Sequence, residues 1–120
     1  MELSRYCTVS NFSIVGGASK LLKAFRKIWS GSIISFCDIR WNTGEVYEKI
    51  GFTRLYNTKE NYYYYNEKEP LKLNHRYGFA KHLLKDKLER FDALKTEKQN
   101  CEENGYKQIY DCGSIKFEIL

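Results

Sequence analysis

The sequence predicts a single mixed α/β (α+β) domain, and three observations carry that expectation. Apolar residues recur at helical spacing in some stretches and as short continuous or alternating runs in others, and the two kinds alternate along the first half of the chain. A length of 120 residues matches the commonest size of one domain, and 42% hydrophobic with 16% aromatic residues supplies material for one core rather than two. A lone proline, interspersed charges and the lack of any Gly/Ser-rich stretch announce neither a linker nor a disordered tail.

Residues 5–9 read as a first strand, and Phe12, Ser13, Ile14 and Val15 lead into Gly16-Gly17. Over residues 19–29, Leu21, Leu22, Phe25, Ile28 and Trp29 recur at helical spacing, with Lys20, Lys23, Arg26 and Lys27 on other faces, until Ser30-Gly31 stops the helix. Residues 32–37 hold Ile33, Ile34 and Phe36, a short apolar run of the kind a buried parallel strand needs. Asn42 followed by Glu45 resembles a capping box opening a short helix with Val46, Tyr47 and Ile50 that ends at Gly51. Residues 52–56 then read as a strand and the tyrosine-rich residues 61–65 as its hairpin partner. Leu83, Leu84, Leu88 and Phe91 suggest a further helix. Thr96 with Gln99 marks a second capping box, before a helix ending at Asn104-Gly105. Residues 107–111 and 115–120 look like paired strands around Cys112-Gly113-Ser114, with Ile115, Phe117 and Ile119 on one face. The expected organisation is one domain over 1–120: a motif-bearing half, 1–66, and a helix/hairpin appendage, 67–120.

Several function classes are excluded or disfavoured. Apolar runs are far too short for a membrane span, and the first residues lack a charged-then-apolar signal pattern, which points to a cytoplasmic protein without a membrane partner. Cys7, Cys37, Cys101 and Cys112 allow two disulfides in three connectivities, but their wide spacing favours buried free thiols. No Cys-x-x-Cys pair stands near His75 or His82, so no metal site is expected. No nuclease metal triad, His-Asn-His arrangement or Gly-Ile-Tyr motif is present either.

The net charge of +5 modestly favours a polyanionic partner. Up to Asn66 there are nine basic and five acidic residues, and beyond it eleven and ten, so the surplus lies in the first half. Two constellations there bear chemistry. Gly16, Gly17, Ala18, Ser19 and Lys20 join a strand to a helix, where small residues and the helix dipole welcome a phosphate; the alternative is a tight packing turn. The loop lacks the Gly-Lys-Ser/Thr ending of a Walker motif. Asp38-Ile39-Arg40-Trp41-Asn42 follows the apolar strand, at the carboxyl end where α/β sheets place ligands; the alternative is an Asp-Arg ion pair with Trp41 plugging the core edge.

Ser13-Ile14-Val15-Gly16-Gly17-Ala18 and Val46-Tyr47-Glu48-Lys49-Ile50-Gly51-Phe52 together resemble motifs of the GNAT acetyltransferases. That resemblance covers roughly residues 5–65 and implies a pyrophosphate-binding loop for acetyl-coenzyme A at Gly16–Lys20, with Ser13 where the family has Arg or Gln, and Tyr47 as the general acid for the departing thiolate. The substrate-side elements that family places before its loop are lacking here, so the implied fold is GNAT-like but the implied enzyme is incomplete. A wider pattern, Leu3 to Cys7, Val15 to Leu22, Asp38 to Trp41 and Gly105 to Gly113, looks like a domain of phage proteins described as homing-endonuclease-like. It implies an accessory role beside a nucleic-acid enzyme in a phage-infected bacterial cell.

The expected function is therefore a non-catalytic, cofactor-free accessory domain binding DNA or a nucleic-acid enzyme. Lys20, Lys23, Arg26, Lys27, Arg40 and Arg54 would meet phosphates, with Trp41 or an exposed tyrosine stacking on a base. The alternatives are an acetyl-coenzyme A-dependent N-acetyltransferase, and a phage inhibitor of a bacterial defence or replication protein.

Overall fold

The computed structural model describes residues 1–120 as four α-helices and seven strands in two sheets, an α+β fold. The chain forms two compact units, Met1–Lys59 with Cys112–Leu120, and Glu60–Asp111. The expected division after Asn66 instead falls at the end of a strand whose neighbours on both sides belong to the second unit.

In the first unit a four-stranded sheet has the order β1 (Glu2–Leu3), β2 (Ile33–Asp38), β7 (Ser114–Ile119), β3 (Thr53–Asn57). Only β1 and β2 are parallel; β7 runs antiparallel to both β2 and β3. The first strand is therefore earlier and shorter than the 5–9 reading. Its pairing stops at Leu3, whose carbonyl accepts from the Ser35 hydroxyl at 2.8 Å. Strict alternation along β2 and β7 sends Ile33, Cys37, Ile115 and Phe117 to one face, where they meet Phe52 in a buried core flanked by Leu3, Leu22, Phe25, Tyr47, Ile50 and Ile119.

Helix α1 (Gly17–Arg26) covers that core face through Leu22 and Phe25, but none of its residues is fully buried. It starts two residues earlier and ends three earlier than the spacing predicts. The Arg26 guanidinium donates to Gly31 O at 2.5 Å, so the chain curls back, and the amides of Ile28 and Trp29 both turn to Phe25 O. Helix α2 (Glu45–Lys49) is capped by Gly44 at φ 83°, not by Asn42. The Asn42 amide instead closes a turn onto Asp38 O at 3.1 Å. Phe117 explains the choice: a Cβ on Gly44 would lie 2.3 Å from its ring, so only glycine admits this approach.

The second unit is built on a three-stranded antiparallel sheet, β5 (Glu69–His75), β4 (Tyr62–Asn66), β6 (Tyr106–Tyr110). The two hairpins expected from the sequence are thus absent: residues 61–65 pair with β5 and β6, and β7 pairs with β2 and β3. A 3₁₀ turn (Arg76–Phe79), α3 (Lys81–Lys87) and α4 (Glu97–Glu103) supply the rest. Tyr64, Phe79, Leu84, Leu88 and Cys101 form its buried core, with Tyr62, Phe91 and Tyr106 around it. The Thr96–Gln99 capping box is present at α4 as predicted. One turn in, the buried Asn100 amide donates to Asp92 O and Thr96 O at 2.9 and 3.1 Å and accepts from Asp92 N at 2.8 Å, while Asn104 brackets Arg90 in the same way. The hydroxyls of Tyr62 and Tyr64 both donate to Glu97 Oε1, at 3.0 and 2.9 Å, tying β4 to α4.

All four cysteines are free thiols. Cys37 and Cys101 are buried as expected, whereas Cys7 and Cys112 are exposed. Burial pushes the Cys101 thiol up to about 11, and burial followed by the Asp38 charge raises that of Cys37. No helix is long and apolar enough to cross a membrane.

Candidate functional site

The candidate residues concentrate in the first unit, which holds ten basic and five acidic residues and hence the whole net charge of +5, while the second carries ten of each. On α1 and its cap, Lys20, Lys23 and Lys27 stand at i, i+3 and i+7, on one stripe opposite Phe25. All three are exposed and none makes an ion pair. Arg26 does not join them. Its guanidinium is committed to the carbonyls of Gly31, Ile119 and Leu120, at 2.5, 3.2 and 3.0 Å, and it acts as a tether between helix and sheet.

The Gly16 to Lys20 segment is the helix entry the sequence suggested. Gly16 takes a left-handed φ of 70°, with nothing within 4 Å of where a Cβ would stand. Gly17 is small for a packing reason, because a Cβ there would meet the Tyr6 hydroxyl at 2.9 Å and Ile14 Cγ2 at 3.1 Å. Its amide donates to Ile14 O, and the Lys20 amide to Gly16 O, which leaves Ala18 and Ser19 as the first-turn amides without a protein acceptor. The segment borders a shallow pocket of about 350 Å³ that Tyr6, Thr8, Phe12 and Ser13 also line.

Tyr47 sits on α2 with its ring stacked on Phe117 at 5.1 Å and edge-on to Phe52 at 5.6 Å. It lines a mostly apolar cleft of about 390 Å³ with Leu3, Leu21, Leu22, Phe25 and Val46, and its hydroxyl has no hydrogen-bond partner within the protein.

Beyond β2, the Asp38–Arg40 ion pair forms at 3.3 Å. Trp41 does not plug the core edge. It is 70% exposed, with the Arg40 guanidinium over one side of its ring, 4.8 Å from the centroid. Arg54, on β3, is exposed and donates to Asn57 Oδ1 at 3.1 Å.

A further group lies on the sheet face away from α1 and α2 and was not among the sequence candidates. Lys116 on β7 is paired in register with Phe36 on β2 and with Tyr56 on β3, and its ammonium lies 5.5 Å from the Tyr56 ring centroid. Phe36 is 38% exposed and Tyr56 55%. Outward phase along β7 was readable from Ile115, Phe117 and Ile119 on one face; that of β2, read as a continuous apolar run, and the pairing that aligns the three residues were not.

Comparison with known proteins finds no matching family model, no similar curated protein and no similar solved structure.

Proposed function

We propose that the first unit is a non-catalytic module that docks on nucleic-acid phosphates, as an accessory to a nucleic-acid enzyme of the phage type. The observation that carries this reading is the charge distribution: the full +5 excess lies in this unit, and three lysines without ion pairs share one stripe of α1. Lys20 to Lys27 spans roughly 10 Å of helix axis at ~1.5 Å per residue, a length over which duplex DNA presents about six charges. The supply of phosphates is therefore ample, and the number of lysines limits how many are neutralised. Arg40 and Arg54 add weaker contributions, because each already has an internal partner.

Fluorescence anisotropy with labelled duplex DNA across a salt series tests this. Three neutralised phosphates predict a log–log salt slope of about −3, at about −0.9 per phosphate. Lys23→Ala with Lys27→Ala lowers both the affinity and the slope, the latter to about −1. Identical curves for parent and variant, or no binding at low salt, refute the reading and leave a bacterial host protein as the partner to seek.

The order strand, loop, helix, strand, helix, strand in this unit also suits the GNAT resemblance. A coenzyme A pyrophosphate nevertheless fits the loop poorly. Ser13 is too short to replace an Arg or Gln, and the Gly17 and Lys20 amides are taken by the chain itself. A general acid contributes about 10²–10⁴-fold and only on a cofactor already positioned, so Tyr47 alone does not restore turnover. Robust acetyl transfer that Tyr47→Phe abolishes would replace the binding-module reading.

A further inference from the structure

We propose that the open face of the four-stranded sheet is a stacking platform for unpaired bases, so that the favoured ligand is single-stranded rather than duplex nucleic acid. This rests on the polyanion reading above and adds a second surface to it. The helices of the first unit contribute Leu22, Phe25, Tyr47 and Ile50 to the core face, which leaves the opposite face of the sheet without a helix of that unit.

Three side chains cross that face in one row, Phe36 from β2, Lys116 from β7 and Tyr56 from β3, because both aromatic residues share Lys116 as their register partner. Neighbouring strands lie about 4.8 Å apart, so the backbone positions that carry the two rings stand roughly 10 Å from each other with Lys116 between them. An unpaired base stacks on either ring, while the lysine meets the phosphate that links them. Every base has a π-face, so such a row accepts any sequence. A duplex keeps its bases stacked inside and offers the row only its backbone.

Attraction for an anionic occupant comes from the unit as a whole. This unit carries the whole net charge of +5. The row sits among Ile34, Asp38, Ser114, Glu118 and Thr53; Asp38 is paired with Arg40 at 3.3 Å, whereas Glu118, the next outward residue of β7 after Lys116, makes no ion pair. Two residues past Asp38, the Arg40–Trp41 turn adds an indole that is 70% exposed, placing another stacking surface beyond the end of the same strand. Exposed aromatic rings alone would suit a protein partner equally well. A cation in register between two rings, on the unit that bears all the excess charge, favours a polyanion with aromatic groups.

The test is anisotropy with labelled oligonucleotides of equal length, single-stranded homopyrimidine and duplex, against the parent, Phe36→Ala with Tyr56→Ala, Tyr56→Phe, and Lys23→Ala with Lys27→Ala. Neither aromatic residue belongs to the buried core, and far-UV circular dichroism checks that each variant is folded. The parent is expected to bind the single strand more tightly than the duplex. The double alanine variant should lose about 5- to 150-fold of single-strand affinity per stacked base, with its duplex affinity and salt slope unchanged. Tyr56→Phe keeps a π-face and should keep the affinity. Equal parent affinity for single strand and duplex, or an unchanged single-strand affinity in a folded double alanine variant, overturns the platform while leaving the lysine ridge standing. Loss of all binding at low salt in the parent overturns both.

Discussion

Gly44→Ala probes whether the packing of Phe117 sets the start of α2. The added methyl would lie 2.3 Å from Phe117 Cζ and 2.6 Å from Cε2, against a normal carbon contact of about 3.5–4.0 Å. The ring has no room to retreat, being fully buried and stacked on Tyr47 at 5.1 Å. Overpacking of this kind costs about 1–3 kcal/mol, and the left-handed φ of 83° costs an alanine about 1–2 kcal/mol more. The expected loss is thus about 2–5 kcal/mol. Gly16→Ala supplies the control, since Gly16 shares the left-handed conformation but has nothing within 4 Å of the Cβ position. It should lose only the conformational part, about 1–2 kcal/mol. Urea unfolding followed by tryptophan fluorescence is the suitable assay, because Trp29 and Trp41 are the chain's two tryptophans and both lie in the first unit. A truncated ring should relieve the clash, so Gly44→Ala should cost less in a Phe117→Leu background. Equal losses for Gly44→Ala and Gly16→Ala, or no coupling to Phe117, would refute the steric argument.

Two predictions concern the second unit. Asn100→Asp retains the acceptor for Asp92 N but turns a buried carboxylate toward the carbonyls of Asp92, Lys95 and Thr96, so thermal unfolding read by far-UV circular dichroism should show a loss of about 3–5 kcal/mol. Stability should also fall as pH rises from about 9 to about 11. Burial raises the Cys101 thiol from 9.0 to about 11, so over that window the unfolded chain has lost a proton the folded chain keeps, and the stabilisation present below pH 9 disappears. Burial raises the Tyr64 hydroxyl too, which steepens the decline. Urea midpoints measured across that range should drop for the parent and drop less for Cys101→Ala.

The elements written in local chemistry were legible, and the pairings between distant strands were not. Thr96 and Gln99 sit three residues apart and reach each other's backbone, so the start of α4 needs no tertiary information. The alternation of β7 and the glycine that closes α2 are equally local, whereas β2, read as a continuous apolar run, alternates and exposes Phe36. The error at residues 61–65 has a specific cause. Four consecutive tyrosines suit a strand in any sheet, and the short gap after β3 looks like a hairpin turn. Thr58 decides otherwise, since its amide donates to Ser114 O at 2.7 Å and its hydroxyl accepts from Ser114 N at 2.9 Å. That exchange commits the end of β3 to a strand more than fifty residues away, and the chain between them builds the second unit instead.

The candidate surfaces divide along the same line. Lys20, Lys23 and Lys27 follow from helical periodicity alone, because residues three and four apart share a face wherever the helix packs. Removing Arg26 from that set required the structure: its guanidinium is held by carbonyls 93 and 94 residues away, which no local pattern announces. The Phe36–Lys116–Tyr56 row depends on long-range information entirely. Each member is an ordinary outward-facing strand residue by itself, and the three become a row only because β7 enters between β2 and β3 in the observed register. A shift of one residue in either pairing would place Ile115 or Phe117 beside a solvent-facing ring and Lys116 in the core. The burial of Ile115 and Phe117 therefore holds Lys116 between the two rings, and the same residues that stabilise the first unit align its proposed stacking surface.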